Sequence, residues 1–381
     1  MRILYWQWHS FMGKGVERAF VKLDIAYDTF FYQMTDWEQD DRFVEQLQAK
    51  LQGGQYDAVF SINYNPLISI VCEENKLRYL SWVYDSPIHI RNEEPMRYSC
   101  NRIFFFDRGL AEDYCKRGIA SSYMPLAADV ETFGEQIVKK EPAYEGDISF
   151  VGQLYQTEYM HYMEPLLPYQ RGYLEGLIAA QMKISGGYLL PELLTDCLLD
   201  ELNVQYLKAS AGQVKLEKRE LEYLLAQEAT GRERYLALAL LSKHYPVKLY
   251  APERDGRLAS VEQMEYIDYY SQMPKVFAQS KINLNISLRC IRTGIPLRVL
   301  DVLASGGFLI TNYQAELAEY FNLGEDLVVY QSLEELMYLT EYYLHHDKER
   351  KQIARNGWER VRQDFRFEER ISRMFSEAGI I

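Results

Sequence analysis

Short apolar runs alternate with stretches of helical periodicity along most of the chain. The runs occupy residues 2–6, 58–62, 79–84, 103–106, 148–151, 247–250, 282–286, 308–311 and 327–330. Between them apolar residues recur at helical spacing, as Phe43, Leu47 and Leu51 do before a Gly-Gly pair. Runs that are apolar throughout are typical of strands buried on both faces, as in parallel sheets covered by crossover helices. The pattern therefore predicts an α/β protein with two doubly wound, Rossmann-like sheets.

The periodic pattern lapses at residues 134–147, where Gly, Lys, Glu and Pro form no apolar face. We therefore predict an N-terminal domain over residues 1–133, a linker over 134–147 and a C-terminal domain over 148–381. A mainly helical stretch at about residues 158–244 separates the first two strands of the second domain, and predicts a helical insertion there. The charged, periodic segment 333–375 predicts C-terminal helices.

Charge and cysteine content narrow the classes of partner. The formal net charge of −13 argues against nucleic acid and anionic membrane surfaces, because both require concentrated Lys and Arg. No apolar run approaches the about 18 residues of a membrane span, and no leader peptide is indicated. The five cysteines are scattered without metal-ligand spacing, which fits reduced thiols in the cytoplasm. The oligomeric state is left open.

The segment from Asn283 to Thr311 carries most of the candidate chemistry. Its pattern predicts a strand that ends near Asn285, a basic loop, a helix, a glycine turn and another strand. Gly294 and Pro296 suit a loop that turns into a helix, and the open amides of a helix start favour an anion. Three cations surround that helix start in an otherwise acidic chain: Arg289, Arg292 and Arg298. This arrangement predicts a site for a diphosphate at the carboxyl end of a strand, with Asn285 at that strand end as a further candidate binding residue.

Two features of the same segment have alternative interpretations. Asp301, three residues after Arg298, places a carboxylate where it could bind two ribose hydroxyls, but i,i+3 opposite charges also form surface ion pairs. Gly306 and Gly307 could approach the donor, or they could simply end the helix.

This segment resembles a known signature. The sequence GIPLRVLDVLASGGFLIT at 294–311 is similar to the donor-binding motif of CgeB-like spore-maturation proteins and related group-1 glycosyltransferases. The resemblance continues through NYQAELAEYF at 312–321, HDKER at 346–350 and IARNG at 353–357. SWVYDSP at 81–87 and MPLAA at 124–128 resemble the family's N-terminal domain of unknown function. The family implies a GT-B fold, in which two Rossmann-like domains face a cleft, and a hexosyltransferase-like activity.

The resemblance also implies roles for particular residues. Asp301 matches the carboxylate that holds the nucleotide ribose, although Glu is commoner there. Gly152 and Gln153 match the place where backbone approaches the donor phosphates. Many retaining members carry a further acidic residue about eight positions before the ribose carboxylate, and this chain has Thr293 there. The stereochemical outcome is therefore left open.

The expected reaction moves a sugar from a nucleotide diphosphate sugar, a UDP-sugar, to a protein or glycan acceptor. Arg292, Arg298 and the helix amides would stabilise charge on the departing diphosphate. We expect no metal and no other cofactor, because no Asp-x-Asp triplet follows a strand.

The first domain supplies candidates for the acceptor side. Gly15 closes a Gly-x-Gly loop after the first strand, which could contact phosphate or acceptor or merely form the turn. Asp85 follows a buried strand and could take a proton from the acceptor hydroxyl, or act in a cap or turn. His9, His89 and Asp107 also follow apolar runs.

Two other classes of protein compete with an active transferase. A catalytically inactive GT-B protein that binds nucleotide sugars or assembles with partners would keep the same motifs. A nicotinamide dehydrogenase or sugar-nucleotide epimerase is disfavoured, because no Gly-x-Gly-x-x-Gly follows a strand.

Overall fold

The computed structural model describes residues 1–137 and 140–380, so residues 138 and 139 of the predicted linker lie outside the described part. The chain divides into two compact units. The first unit comprises Met1–Glu135, Gly294–Ala304 and Glu359–Ile381, and the second comprises Gln136–Thr293 and Ser305–Trp358. This division departs from chain order because the C-terminal helix packs against the first helix, with the Phe20 and Phe375 ring centroids 5.9 Å apart.

The first unit contains a parallel sheet of six strands in the order β2-β1-β3-β4-β5-β6. The strands are β1 (Arg2–Gln7), β2 (Ala26–Phe31), β3 (Ala58–Ile62), β4 (Arg78–Val83), β5 (Asn101–Phe105) and β6 (Ser121–Tyr123). Their connecting helices are α1 (Gly13–Lys22), α2 (Asp41–Gln52), α3 (Pro66–Glu74), α4 (Arg108–Lys116) and α5 (Val130–Gln136). Strand order reverses between β1 and β3, which makes their carboxyl ends a topological switch point.

The second sheet also has six parallel strands, in the order β12-β11-β10-β7-β8-β9. The strands are β7 (Gly146–Val151), β8 (Val247–Tyr250), β9 (Glu262–Met264), β10 (Ser280–Asn285), β11 (Leu309–Asn312) and β12 (Val328–Tyr330). Counted from β7, this is the 3-2-1-4-5-6 order of the Rossmann fold, and the switch point falls between β7 and β10. In the register of these two strands, Asn283 is opposite Ser149.

Helices fill the connections of the second half of the chain. Those between β7 and β8 are α6 (Tyr159–Met163), α7 (Pro168–Lys183), α8 (Leu190–Leu193), α9 (Asp196–Ala209) and α10 (Lys218–Leu241). The later ones are α11 (Met273–Gln279), α12 (Leu297–Ala304), α13 (Leu317–Tyr320), α14 (Leu333–His345), α15 (Asp347–Asp364) and α16 (Phe367–Glu377).

The two parallel sheets with flanking helices confirm the predicted α/β fold. Central strands are buried throughout, as β3 is from Ala58 to Ile62. Because both faces of such a strand are apolar, the sequence pattern predicts these strands. The sequence pattern did not reveal β2, β6 and β9. These strands lie at sheet edges, and their residues are at most partly buried.

Among the described residues, no helix combines the length and apolar composition needed to cross a membrane.

Candidate active site

The switch point of the second sheet brings the ends of β7 and β10 side by side. Gly152 and Gln153 follow β7, and Asn285 is the last residue of β10. The Gly152 amide donates to the Tyr250 carbonyl at 3.0 Å. Because ligands of doubly wound sheets bind outside the carboxyl ends of the strands at the switch point, these predicted donor residues stand at the expected place.

Arg234 of α10 ties the two strand ends together. Its Nε donates to the Ile286 carbonyl at 3.1 Å, after β10, and its Nη1 donates to the Gln153 carbonyl, after β7. The guanidinium also lies 4.6 Å from the centroid of the Tyr155 ring, within cation–π range. Sequence reasoning missed Arg234, since an arginine within a helix gives no sign of which carbonyls it reaches.

Close approach of α10 to the loop after β7 depends on Gly231. A Cβ at this position would lie 2.8 Å from the Tyr155 carbonyl oxygen and 2.9 Å from that of Leu154. Backbone oxygens cannot yield as a flexible side chain can, so glycine is required here. The position of the loop at the switch point is thus fixed by backbone packing as well as by Arg234.

Arg289 has a structural environment. Its side chain is 5% exposed, and its Nε donates to Glu233 Oε2 at 2.8 Å. Further bonds run from Nη1 to the Ile184 carbonyl at 2.8 Å and from the Arg289 amide to the Thr230 hydroxyl oxygen at 3.0 Å. Because the guanidinium is enclosed by protein acceptors, the geometry favours a structural ion pair over the predicted contact with the donor diphosphate.

A buried polar cluster occupies the carboxyl ends of β10 and β11. Asn285 Nδ2 donates to Ser287 Oγ at 3.1 Å and to Thr311 Oγ1 at 2.9 Å. Asn312 Oδ1 accepts from the Ser287 amide at 2.7 Å. Asn312 Nδ2 and Gln314 Oε1 are buried without a hydrogen-bond partner. Buried polar atoms usually have partners, so these two are candidates for contact with a ligand.

Glu316 supplies a carboxylate beside Thr293. Thr293 Oγ1 donates to Glu316 Oε1 at 2.7 Å, and the Glu316 amide donates to the Thr293 carbonyl at 3.1 Å. Glu316 is 1% exposed. The acidic group that is absent from position 293 is therefore brought to it from the segment after β11. Sequence reasoning missed this pairing because the two residues are far apart in the chain.

Arg292 lies close enough to Glu222 and Tyr188 of the helical insertion to affect their pKa values. Burial raises the pKa of the Glu222 carboxyl, and the positive charges of Lys218 and Arg292 act against that rise. Burial also raises the pKa of Tyr188, again opposed by Arg292. Arg292 is only partly buried, unlike Arg289.

The helix α12 begins directly after Pro296 and carries Arg298 and Asp301. Arg298 Nη1 lies 3.2 Å from Asp301 Oδ2, so the i,i+3 ion pair considered from the sequence is present. It is not a surface pair, since the Asp301 side chain is 5% exposed and that of Arg298 is 24% exposed. The Asp301 carboxylate can accept hydrogen bonds from a polar ligand, and the more exposed Arg298 guanidinium can donate to one.

Two glycines that the sequence offered as ligand-binding candidates, Gly294 and Gly15, lie in close packing contacts. At Gly294 a Cβ would lie 2.9 Å from the Asp107 Cα and 2.9 Å from the Phe106 ring. At Gly15, which lies within α1, a Cβ would collide with the ring of Phe367. Both glycines therefore permit close packing, and at Gly15 the geometry favours this role over contact with a ligand.

Gly306 and Gly307 lie at the opposite edge of the second sheet from Asn285. They precede β11, and Gly306 has a φ of 69°, the left-handed conformation that commonly follows a helix end. Both line a cavity of about 660 Å³ together with Lys248, Lys281 and Arg350. This position supports the helix-terminator alternative rather than a contact with the donor.

At the switch point of the first sheet, Asn63 organises the predicted base Asp85. Asn63 follows β3 in the left-handed conformation, with a φ of 61°. Its Oδ1 accepts from the amides of Tyr84 and Asp85 at 3.0 and 3.3 Å, and its Nδ2 donates to Asp85 Oδ2 at 2.6 Å. Asparagine tolerates this backbone conformation better than most residues. Asn63 is a further functional candidate that sequence reasoning missed.

The Asp85 carboxyl has a perturbed acidity. Desolvation raises its pKa to about 6, and the Asn63 hydrogen bond acts to lower it. The residue nevertheless keeps an exposed surface. A carboxylate with this pKa can accept a proton near neutral pH. Asp107, in contrast, is buried and caps α4 by accepting from the Leu110 amide at 3.3 Å, while His9 and His89 are exposed.

Comparison with known proteins adds family information. Residues 227–376 match the family described as glycosyl transferase-like. This range begins within α10 and contains Arg234, the β10–β11 segment and Glu316. A comparison with curated proteins finds no match by sequence.

Several solved structures share the fold over the whole chain. HepE from Anabaena, in complex with UDP-glucose, has a TM-score of 0.57 at 10% identity and covers 100% of both chains. Sucrose-phosphate synthase from Thermosynechococcus elongatus has a TM-score of 0.53 at 12% identity, covering 100% of this chain and 98% of its own. A glycosyltransferase from Rickettsia africae has a TM-score of 0.54 at 8% identity, covering 98% of each. The chain thus has the GT-B fold of glycosyltransferases, and its residues 227–376 are similar to the glycosyl transferase-like family.

Proposed function

We propose that the protein is a glycosyltransferase that moves a sugar from a UDP-sugar to a hydroxyl of a glycan or protein acceptor. The observation that carries this proposal is the Rossmann order of the second sheet, whose switch point joins the ends of β7 and β10 and borders the glycosyl transferase-like segment. Uridine as the base draws support from the HepE complex with UDP-glucose. Membership of the CgeB-like subgroup, which rests on the motif from Gly294 to Thr311, is part of the proposal.

In this proposal the donor nucleotide is held by α12 and the loop before it. Asp301 accepts hydrogen bonds from the ribose hydroxyls, and Arg298 exchanges part of its contact with Asp301 for the diphosphate. In the second unit, Arg292 is a further candidate cation for a diphosphate, and the loop after β7, fixed by Arg234, offers backbone amides. Arg289 has no direct role with the donor, since its charge is neutralised by Glu233.

The chemical step breaks the bond between the anomeric carbon and the diphosphate oxygen and forms a bond from that carbon to the acceptor oxygen. The electron pair of the broken bond leaves with UDP, whose added charge Arg298 and Arg292 stabilise. The acceptor oxygen attacks the face of the anomeric carbon opposite the diphosphate, with inversion, and the acceptor proton passes to Asp85. Asn63 holds Asp85 in place for this transfer.

We further propose that the reaction is independent of metal and takes place in the cytoplasm. The described residues contain no group of three or more His, Cys, Asp or Glu side chains that could hold a metal ion. The five cysteines are free thiols, which suits a reducing compartment. Activity that survives EDTA is the expected result, and loss of activity that Mg²⁺ or Mn²⁺ restores would contradict metal independence.

A donor screen tests the proposed function. The purified chain is incubated with UDP-, GDP- and ADP-sugars, and both its thermal stability and the released nucleotide are measured. We expect stabilisation by UDP and slow release of UDP from at least one UDP-sugar, with a loss of both in Asp301→Ala. Stabilisation by UDP without hydrolysis or transfer across an acceptor panel would instead identify an inactive nucleotide-sugar-binding protein.

A further inference from the structure

Aromatic side chains gather at the switch point of the first sheet. Trp8 follows β1, and its ring is nearly parallel to that of Tyr84 after β4, with an interplanar angle of 9° and centroids 6.3 Å apart. Phe11 lies 6.4 Å from the Tyr84 ring, and the exposed His9 lies 5.3 Å from the ring of Phe31 at the end of β2. The cluster therefore extends across the carboxyl ends of neighbouring strands.

Two members of this cluster present much of their surface to solvent. Phe11 is 40% exposed and Phe31 is 56% exposed. Trp8 is half-buried, and its Nε1 donates to the Ile62 carbonyl at 2.9 Å, so the indole is held in one orientation. Rigid, exposed aromatic faces at a ligand-binding edge of a sheet mark an interaction surface rather than part of the core.

Two side chains that can bind hydroxyl groups, those of Asn63 and Asp85, lie at the carboxyl ends of strands in the same sheet. Asn63 follows β3, between the strands that lead to Trp8 and to Asp85, and its amide donates to the Asp85 carboxylate at 2.6 Å. A carboxylate beside apolar ring faces matches the two sides of a sugar ring, since the ring presents C–H groups on its faces and hydroxyls at its rim. An anionic polymer fits less well, because the chain carries a net charge of −13.

We propose that the aromatic edge formed by Trp8, Phe11, Phe31 and Tyr84 binds the acceptor, and that the acceptor is a neutral glycan. One sugar ring packs on Phe11 and Tyr84 so that its hydroxyl reaches Asp85. Phe31 and His9 contact a more distant sugar of the same glycan, because β1 and β3 lie between β2 and β4, a separation of about 14 Å at the usual strand spacing. This inference rests on the proposed function for the fate of the hydroxyl, but not for the binding itself.

Binding is tested first, without a donor. The labelled 381-residue chain is applied to one array of defined neutral oligosaccharides and to another of Ser- and Thr-containing peptides. We expect binding to a subset of oligosaccharides, weakened at least about fivefold in Phe11→Ala and Phe31→Ala. Tyr338→Ala is the matched control, because Tyr338 is a 66% exposed aromatic on α14. Its removal should leave glycan binding unchanged.

Kinetics with the best UDP-sugar and the selected oligosaccharide then separate binding from folding. Phe11→Ala and Phe31→Ala should raise the KM for the acceptor about fivefold or more, while thermal stabilisation by UDP stays at the wild-type level. A disaccharide acceptor should be less sensitive to Phe31→Ala than a tetrasaccharide.

The outcomes distinguish this inference from the proposed function. Peptide binding that depends on Phe11 and Phe31, or absence of binding to any oligosaccharide, would overturn the glycan assignment. Equal glycan binding by wild type and the two variants would overturn the site. Glycan binding that requires Phe11 and Phe31 but is accompanied by no turnover of any nucleotide sugar supports the site, and contradicts only the transferase function.

Discussion

The two sheets share a parallel topology but differ at their switch points. At the end of β10 the side chains are buried and polar, and most of them bond to protein: Asn285 to Thr311, Arg289 to Glu233, Thr293 to Glu316. At the ends of β1 and β2 the side chains are aromatic and partly exposed, as Phe11 and Phe31 are. One edge is preorganised by internal hydrogen bonds, and the other offers an open surface.

Under the proposed function, this difference corresponds to the different chemistry of the two substrates. A charged diphosphate is stabilised best by dipoles and cations that are already fixed in place, because no reorganisation is then required during the reaction. A neutral sugar instead gains most from flat apolar contact with a few hydrogen bonds. Substitutions test this difference: some should lower the free energy of unfolding, and others should lower turnover.

The largest effect is expected at the buried ion pair. Arg289→Met leaves the Glu233 carboxylate buried without its cation, and should lower the free energy of unfolding by about 3–5 kcal/mol. Urea denaturation followed by circular dichroism measures this change. Lys351→Met, which removes an exposed partner of Asp347, is the control and should leave the free energy of unfolding nearly unchanged, because solvent screens exposed ion pairs.

The double variant Arg289→Met, Glu233→Leu sharpens this prediction. Removal of both charges should recover much of the lost stability, since an apolar pair of similar volume can replace a buried ion pair. If Arg289→Met is instead stable and selectively loses UDP binding, then Arg289 contacts the donor, as the sequence predicted.

Arg298 should behave in the opposite way. Arg298→Ala is expected to lower kcat by about 10²–10³, because the cation would act on charge that develops in the transition state. Binding of the uridine portion should weaken less than turnover, as judged by thermal shift with uridine and with UDP. A variant that folds and retains wild-type kcat would exclude Arg298 from catalysis.

Asp85 is the proposed base beside the aromatic edge. Asp85→Asn should reduce transfer by about a hundredfold or more while leaving UDP binding intact. In the wild type, transfer should rise with pH through about 6, the pKa of this carboxyl, because only the deprotonated form accepts the acceptor proton. Glycan binding on the array should persist in this variant.

Asn63→Gly tests the positioning of Asp85 separately, since glycine tolerates the left-handed backbone. Loss of the Asn63 hydrogen bond should raise the pKa of Asp85 and shift the acidic limb of the pH profile toward higher pH. A pH profile that is the same in wild type, Asp85→Asn and Asn63→Gly would rule out Asp85 as the base.

The sequence predicted the buried framework well and the contacts between distant segments poorly. Central strands such as β3 are apolar on both faces, so their pattern survives in one sequence. The short edge strands β6 and β9 have no such pattern. The CgeB-like assignment and the predicted donor residues remain predictions.

Particular residues explain the limits at the candidate site. Arg289, Arg292 and Arg298 look alike as cations near a helix start, but only the folded chain places Glu233 against Arg289. For Gly306 the sequence leaves a donor contact and a helix end as alternatives, and its left-handed φ and its position before β11 favour the helix end. Glu316 and Asn63 act through partners that lie 23 and 22 residues away in the chain, and neither spacing is a motif.

The smallest effect is expected at Thr293, which tests the internal hydrogen bonds at the buried polar edge after β10. Thr293→Val removes the hydroxyl that donates to the buried Glu316, and should cost about 1–3 kcal/mol because the buried carboxylate loses a hydrogen-bond donor. The ranking of UDP-sugars by kcat/KM should change as well if the Thr293 hydroxyl fixes the orientation of the Glu316 carboxylate toward the donor sugar. Thr293→Ser, which keeps the hydroxyl, should preserve both stability and ranking. If Thr293→Val loses stability but ranks the sugars as the wild type does, the pair is purely structural. In that case the Thr293–Glu316 pair would stabilise the fold without selecting the sugar of the donor.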